Sequence, residues 1–204
     1  SLGQSSLANV AAVFFLVSFG IKAAVFPLFF WLPATYHTAP IGISSLVVAL
    51  MTKVGVYVLI RFFTIVFPIS ENEVFRIIFM LIAAFTMVVG VFGAAAQSDF
   101  RKILYFHIVS QIGYMIMGLA IGTPLAIAGA LFFVLHNVLV KTNLFFISGL
   151  VNRVAGSYSL KQLGGVLSQF PLLALVFAIS AFALTGVPPL TGFWGKFILA
   201  KAGF

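Results

Sequence analysis

Long apolar runs, separated by short polar or proline-bearing punctuation, organise the chain. A helix that crosses a bilayer needs about 20 mainly apolar residues, and dividing the runs at turn signals gives roughly six of them. The first extends from Leu7 to about Phe30 and stops at Trp31-Leu32-Pro33, inside the loop WLPATYHTAP with its second proline at Pro40. The second runs from Ile41 to Phe67 and stops at Pro68; the third runs from Glu73 to Ala96. The fourth follows Arg101-Lys102 and ends at Gly122. Pro124 opens the fifth, at a helix start where its missing N–H does no harm, and that run continues to about Val151. After a polar stretch from Asn152 to Gln169 comes the sixth, Pro171 to Ala202. The pattern predicts an all-α, polytopic transmembrane helix bundle, with residues 1–204 as a single transmembrane domain.

The sixth run is too long and too interrupted for one straight helix. Gly186, Pro188, Pro189 and Gly192 sit in its middle. Proline removes an interior hydrogen bond and collides with the preceding turn. In lipid the freed backbone groups must find partners in protein or in a water-filled cavity, so discontinuous helices often mark ion or substrate sites. A kink that only improves packing is the bland alternative, and the break alone does not decide between them.

Composition agrees with a membrane chain. Hydrophobic residues make up 63% and charged residues 7%, against about 45–50% and ~25% in soluble domains. Such a chain cannot cover a water-facing surface, which excludes a soluble enzyme, a nucleic-acid-binding domain and a disordered segment. The net charge of +8 does not point to nucleic acid, because the cations are scattered through apolar runs. Arg101, Lys102, Arg153 and Lys161 fall on the side shared by the loops after the first, third and fifth runs, and the positive-inside bias places that side in the cytoplasm. Arg61, Glu71, Glu73 and Arg76 fall opposite. The first run does not read as a signal peptide, because its first basic residue, Lys22, follows the apolar stretch, and both ends look cut from a longer chain.

The candidate chemistry lies in cations within the runs: Lys22, Lys53, His136, Lys141 and Lys196. A lysine at the bilayer centre costs about 2.5–3.5 kcal/mol on insertion scales. Near a helix end it can snorkel to the interface; that bland reading suits Arg61 and Lys201, applies to Lys196 and in part to Lys22, and fails for Lys53. Groups that change protonation as a neighbour moves, joined by water and by Ser, Thr or Asn, can form a proton relay. The nearby polar candidates are Ser18, Thr52, Asn137, Thr142, Asn143 and Thr191, each of which is individually more at home as a packing residue. His136 and Lys141 lie ~140° apart on a straight helix and face two different neighbours unless a π turn intervenes. His37 and His107 are candidate points where protons enter, although interfacial histidines are more often structural. The three acids, Glu71, Glu73 and Asp99, all fall at run ends, so carboxylate partners for the lysines lie outside this stretch or on another subunit. Asp99, with Arg101 and Lys102, reads as a helix cap and interface anchor. Three histidines in different runs, with no cysteine, give a weak case for a metal site.

Several stretches resemble a known family, the proton-conducting antiporter-like subunits of multisubunit cation/proton antiporters and of NADH–quinone oxidoreductase. They are FGIKAAVFPLFFWLPATYHTAP, MTKVGVYVLIRF, QSDFRKILYFHIVSQIGYMIMGL, HNVLVKTNLFFISG and LTGVPPLTGFWGKF. HIVSQIGYMIMG and the last two most resemble the D subunits of the Na⁺/H⁺ antiporters. The resemblance implies a central fragment of a fold with inverted repeats, each with a broken helix, here at Pro27 and at Gly186, Pro188 and Pro189. It implies that Lys22 is a switching lysine whose glutamate partner lies on an earlier helix. Lys53 matches a central relay lysine, His136 and Lys141 a connecting relay, and Lys196 the terminal group, where some members carry glutamate. It further implies a multi-pass subunit of a bacterial or archaeal cell membrane. That subunit would be a secondary transporter rather than an enzyme, without cofactor or metal, with other membrane subunits, protons, Na⁺ and the lipid bilayer as partners. The rival expectations are a redox-driven proton-pumping subunit of NADH–quinone oxidoreductase or a membrane hydrogenase, and a non-transporting scaffold.

Overall fold

The computed structural model of the chain describes residues 6–36 and 41–204; His37 and Pro40 lie outside the described residues. The described residues form α1 (Ser6–Ala23), α2 (Trp31–Tyr36), α3 (Ile41–Arg61), α4 (Glu73–Ala95), α5 (Phe100–Ile121), α6 (Pro124–Ala155), α7 (Val166–Gln169), α8 (Pro171–Thr185) and α9 (Thr191–Gly203). A π-helical turn, Phe62–Val66, continues α3, and a 3₁₀ turn, Ile69–Glu71, leads into α4. Three helices, α4, α5 and α6, are each long and apolar enough to cross a bilayer alone. The shorter apolar helices α1 and α8 are each followed by an interruption and a second short helix.

Their burial pattern is that of a bundle in lipid. On α4, Phe75, Phe79, Ala83, Thr86 and Gly90 recur at three- and four-residue spacing and face inward, the spacing of one helix face. Val74, Ile77, Leu81, Phe85, Val88 and Phe92 are exposed apolar residues on the same helix. An apolar outer face of this extent needs lipid or another apolar surface to cover it. Polarity is instead taken inward: Thr52, Lys53, Ser110, Gln111, His136, Asn137, Lys141 and Ser148 are all buried.

Helix α6 is the hub, packed against α3, α5, α8 and α9, while α5 packs most extensively on α4. The α4–α5 contact is close because small residues meet there. A Cβ added at Gly90 would lie 2.7 Å from Ser110 Cα, and one at Gly113 would lie 2.8 Å from the Ala83 carbonyl. The ends are fixed by caps. Asp99 accepts from Lys102 N at 3.0 Å and Thr123 from Ala126 N at 3.2 Å, each satisfying an orphan N–H of a first turn. Gly122, in the left-handed region at φ 74°, ends α5 immediately before the Thr123 cap of α6. At the opposite end, Phe100 N donates to Tyr158 O and Leu160 N to Ser98 O, both at 2.9 Å. The loops after α4 and after α6 therefore meet on one side, as the arrangement of the runs predicts.

Three sequence expectations are corrected. The first run does not stay helical to Phe30; the helix stops at Ala23, ahead of Pro27. Helix α6 continues past Val151 to Ala155, where Gly156 at φ 71° ends it. Arg101 is not an interface anchor beside Lys102: it is 5% exposed, with its guanidinium 5.0 Å from the Tyr158 ring centre, whereas Lys102 is exposed.

Replacing Gly90 with Val should separate α4 from α5 and destabilise the full-length protein by about 1–3 kcal/mol. Thermal unfolding in detergent measures it. Gly42→Ala, with nothing within 4 Å of its new Cβ, should leave the midpoint unchanged or slightly raised.

Candidate functional site

The site is built around two helix interruptions and the hub between them. At the first, Ala24 takes a left-handed φ of 62° and the helical ladder of α1 stops. Two side chains satisfy backbone groups there: Phe26 N donates to Thr86 Oγ1 of α4 at 2.9 Å, and Trp31 Nε1 donates to Ile21 O at 2.8 Å. Pro27 lies in the turn between α1 and α2. Lys22 is half-buried in the last turn of α1, where a cation complements the helix dipole. Helix α3 presses on this point through Gly55, whose Cβ would lie 2.7 Å from Ala23 N.

At the second interruption α8 ends at Thr185, Gly186 turns the chain at φ 93°, and Pro188 and Pro189 precede α9. Lys196, one and a half turns into α9, reaches back across the gap. Its ammonium donates to Thr185 O at 2.9 Å and to Leu184 O at 3.4 Å, two of the carbonyls that the end of α8 leaves open. The same Nζ stands 5.3 Å from the Tyr114 ring centre, a cation–π distance. Gly192 permits the close approach: a Cβ there would collide with Ala183 O and stand 3.0 Å from His136 Nε2.

Between the interruptions, α3 and α6 carry the deepest cations. Lys53 is 3% exposed; it donates to Thr52 Oγ1 at 3.2 Å and borders a cavity of about 310 Å³ between α3 and α6. Lys141 is fully buried, and its Nζ has no hydrogen-bond partner among the described residues. His136 points toward α9, with Nδ1 2.8 Å from Thr191 Oγ1 and its ring stacked on Phe133. Helix α6 is α-helical throughout, so no π turn brings His136 and Lys141 together. Lys141 lies within electrostatic reach of Lys53 on α3, of His107 on α5 and of His136, and Lys196 reaches both histidines.

The structure thus brings Lys53, Lys141, His107, His136 and Lys196 into one connected set, with Lys22 at the first interruption. His107 is not at the rim: it lies two turns into α5, 3.3 Å from Gln111 Nε2 through Nδ1. It borders a cavity of about 200 Å³ that reaches from Phe100 to Leu184 and Thr185. Among the polar candidates, Asn137 and Thr142 bond back to their own helix at Phe133 O and Val138 O. Asn143 instead bridges to Ser180 on α8 at 2.6 Å, and Ser18 is exposed. The sequence reading missed Thr86, Ser180, Gln111 and Tyr114. Gln111 could have been found from its four-residue spacing to His107; the others depend on which helices meet.

A family model described as NADH:quinone oxidoreductase/Mrp antiporter, TM matches residues 2–204. The chain belongs to that family. It is 47% identical over 203 residues to the D subunit of the Na(+)/H(+) antiporter of Alkalihalophilus pseudofirmus, and 41% identical over 202 residues to that of Bacillus subtilis. These alignments cover 100% and 99% of the chain but 41% of each relative, so the chain spans about two-fifths of the length of the curated relatives it matches. Among solved structures, the Mrp complex from Dietzia sp. DQ12-45-1b aligns with a TM-score of 0.92 and 34% identity, over 98% of this chain and 37% of that one. Respiratory complex I from Thermus thermophilus with bound NADH aligns at 0.88 and 27%, over 98% and 43%. The family member described here is a multi-pass, all-α membrane chain with discontinuous helices.

Thr86→Val should leave Phe26 N–H unpaired at the first interruption. The expected loss is about 1–3 kcal/mol, read as a lower melting temperature of the full-length protein, with Thr86→Ser close to wild type.

Proposed function

We propose that this chain is the central part of a proton-translocating subunit of a multisubunit Na⁺/H⁺ antiporter in a bacterial or archaeal plasma membrane. Lys22 switches between partners, Lys53 relays, Lys141 and His136 connect, and Lys196 exchanges with solvent; His107 and His37 are the points where protons enter. Coupling is electrostatic: displacing one charge changes how readily the next group holds its proton. Other membrane subunits assemble with it, and the chemistry is transport without cofactor or catalysis. The observation that carries this reading is the burial of Lys53 and Lys141 in the bundle interior, in reach of each other. All three acids of the chain fall at span ends. Two interior lysines without local counter-ions cost several kcal/mol to insert, a cost that packing alone does not explain. Na⁺ as the exchanged ion rests on the names of the two antiporter relatives.

A redox-driven pump is the second reading, supported by the likeness to complex I. A scaffold whose lysines only hold subunits together is the third. The deciding experiment is proton flux in vesicles carrying the complete complex, wild type against Lys53→Ala and Lys141→Ala. Na⁺-driven flux should fall by at least about tenfold in either variant while the complex still assembles. Flux that responds to a redox donor and not to Na⁺ selects the second reading. Loss of assembly selects the third, and unchanged flux in an assembled variant removes these lysines from the path.

A further inference from the structure

The hydroxyl of Thr191 behaves unlike those of four other threonines in the bundle. Thr64, Thr86, Thr142 and Thr185 each donate to the carbonyl four residues earlier, at Ile60, Ile82, Val138 and Ala181. Thr191 is the first residue of α9, directly after the interruption. The carbonyl four residues before it, Val187 O, accepts from Leu190 N at 3.0 Å. Among the described residues the hydrogen-bond partner of the Thr191 hydroxyl is His136 Nδ1, 2.8 Å away, so its proton has that nitrogen as acceptor.

We infer that Thr191 is a positioning residue that holds neutral His136 in the tautomer with its proton on Nε2. A histidine nitrogen that accepts a hydrogen bond cannot carry the ring proton, so an Nδ1 that accepts from Thr191 leaves the proton on the other nitrogen. Nε2 is buried without a hydrogen-bond partner among the described residues. It faces the backbone of Gly192, where a side chain would meet both Nε2 and the Ala183 carbonyl. Stacking on Phe133 at 5.6 Å fixes the plane of the ring. Helix α9 thus carries two handles: Thr191 on the imidazole, and Lys196 on the Leu184 and Thr185 carbonyls of α8. A shift of α9 relative to α8 alters both at once.

The inference rests on the relay reading, and its test separates the two. Ring ¹⁵N shifts of His136, assigned by loss of the signal in His136→Gln, report the tautomer in the full-length protein. Wild type should show the Nε2-protonated form. Thr191→Val should admit the Nδ1-protonated form and lower proton flux of the assembled complex about tenfold, the order expected for losing one orienting hydrogen bond. Thr191→Ser should keep the wild-type shifts and stay within about twofold of its flux. An Nδ1-protonated ring in wild type overturns the inference without any variant. So do unchanged shifts in Thr191→Val, a Thr191→Ser that behaves like Thr191→Val, or altered shifts with unaltered flux. Normal flux in Lys53→Ala would instead remove the relay reading while leaving the shift result standing.

Discussion

A helix that stops inside a bilayer exposes N–H and C=O groups where no bulk water can meet them. This chain does so twice, and much of its interior is arranged around the partners those groups require. At the first interruption the partners are neutral: the Thr86 hydroxyl for Phe26 N and the Trp31 indole placed against Ile21 O. At the second the partner is an ammonium, Lys196 on Leu184 O and Thr185 O. The two ends differ in kind. One is held by groups that keep their protons, the other by a group whose charge depends on its surroundings.

The hub helix explains why the buried cations lie within electrostatic reach of one another. Four helices pack on α6, and its buried His136 and Lys141, five residues apart, face different neighbours. His136 turns to α9 and Lys141 lies in reach of α3 and α5. A straight helix with two ionisable faces joins groups that no single face could bring together. The small residues of the α4–α5 contact and Gly192 at the α8–α9 gap let backbones approach closely enough for short side chains to act across them.

Much of this was legible in the sequence. Apolar run length marked the crossing helices, because the bilayer imposes that length directly. Proline and glycine marked the second interruption, whereas the first run read as continuous to Phe30 and its break at Pro27 was expected only from the family resemblance; lysines in apolar runs marked themselves by their cost. The partners were not legible. Nothing local distinguishes Thr86 from any mid-helix threonine, and Ser180 acquires meaning only because α8 lies beside Asn143. Arg101 reads as a surface cation beside Lys102, yet helical rotation turns one inward and the other out. His107 looks interfacial by distance from the polar loop, but α5 is buried on nearly every side. In each case the missing information is which helices touch, and periodicity alone does not carry it.

The loops at the two ends of α5 and α6 have a mechanical consequence. These helices are tied at one end by the Gly122–Thr123 corner and at the other by the two backbone bonds between Ser98–Phe100 and Tyr158–Leu160. A pair of rods fastened at both ends is a closed frame. It can flex, but neither rod can slide along the other without tearing a fastening. The interrupted helices are short pieces joined by turns, held by individual side-chain bonds and set against that frame. Displacement in this part of the molecule is therefore directed into the jointed pieces, and the frame supplies the fixed reference against which they shift.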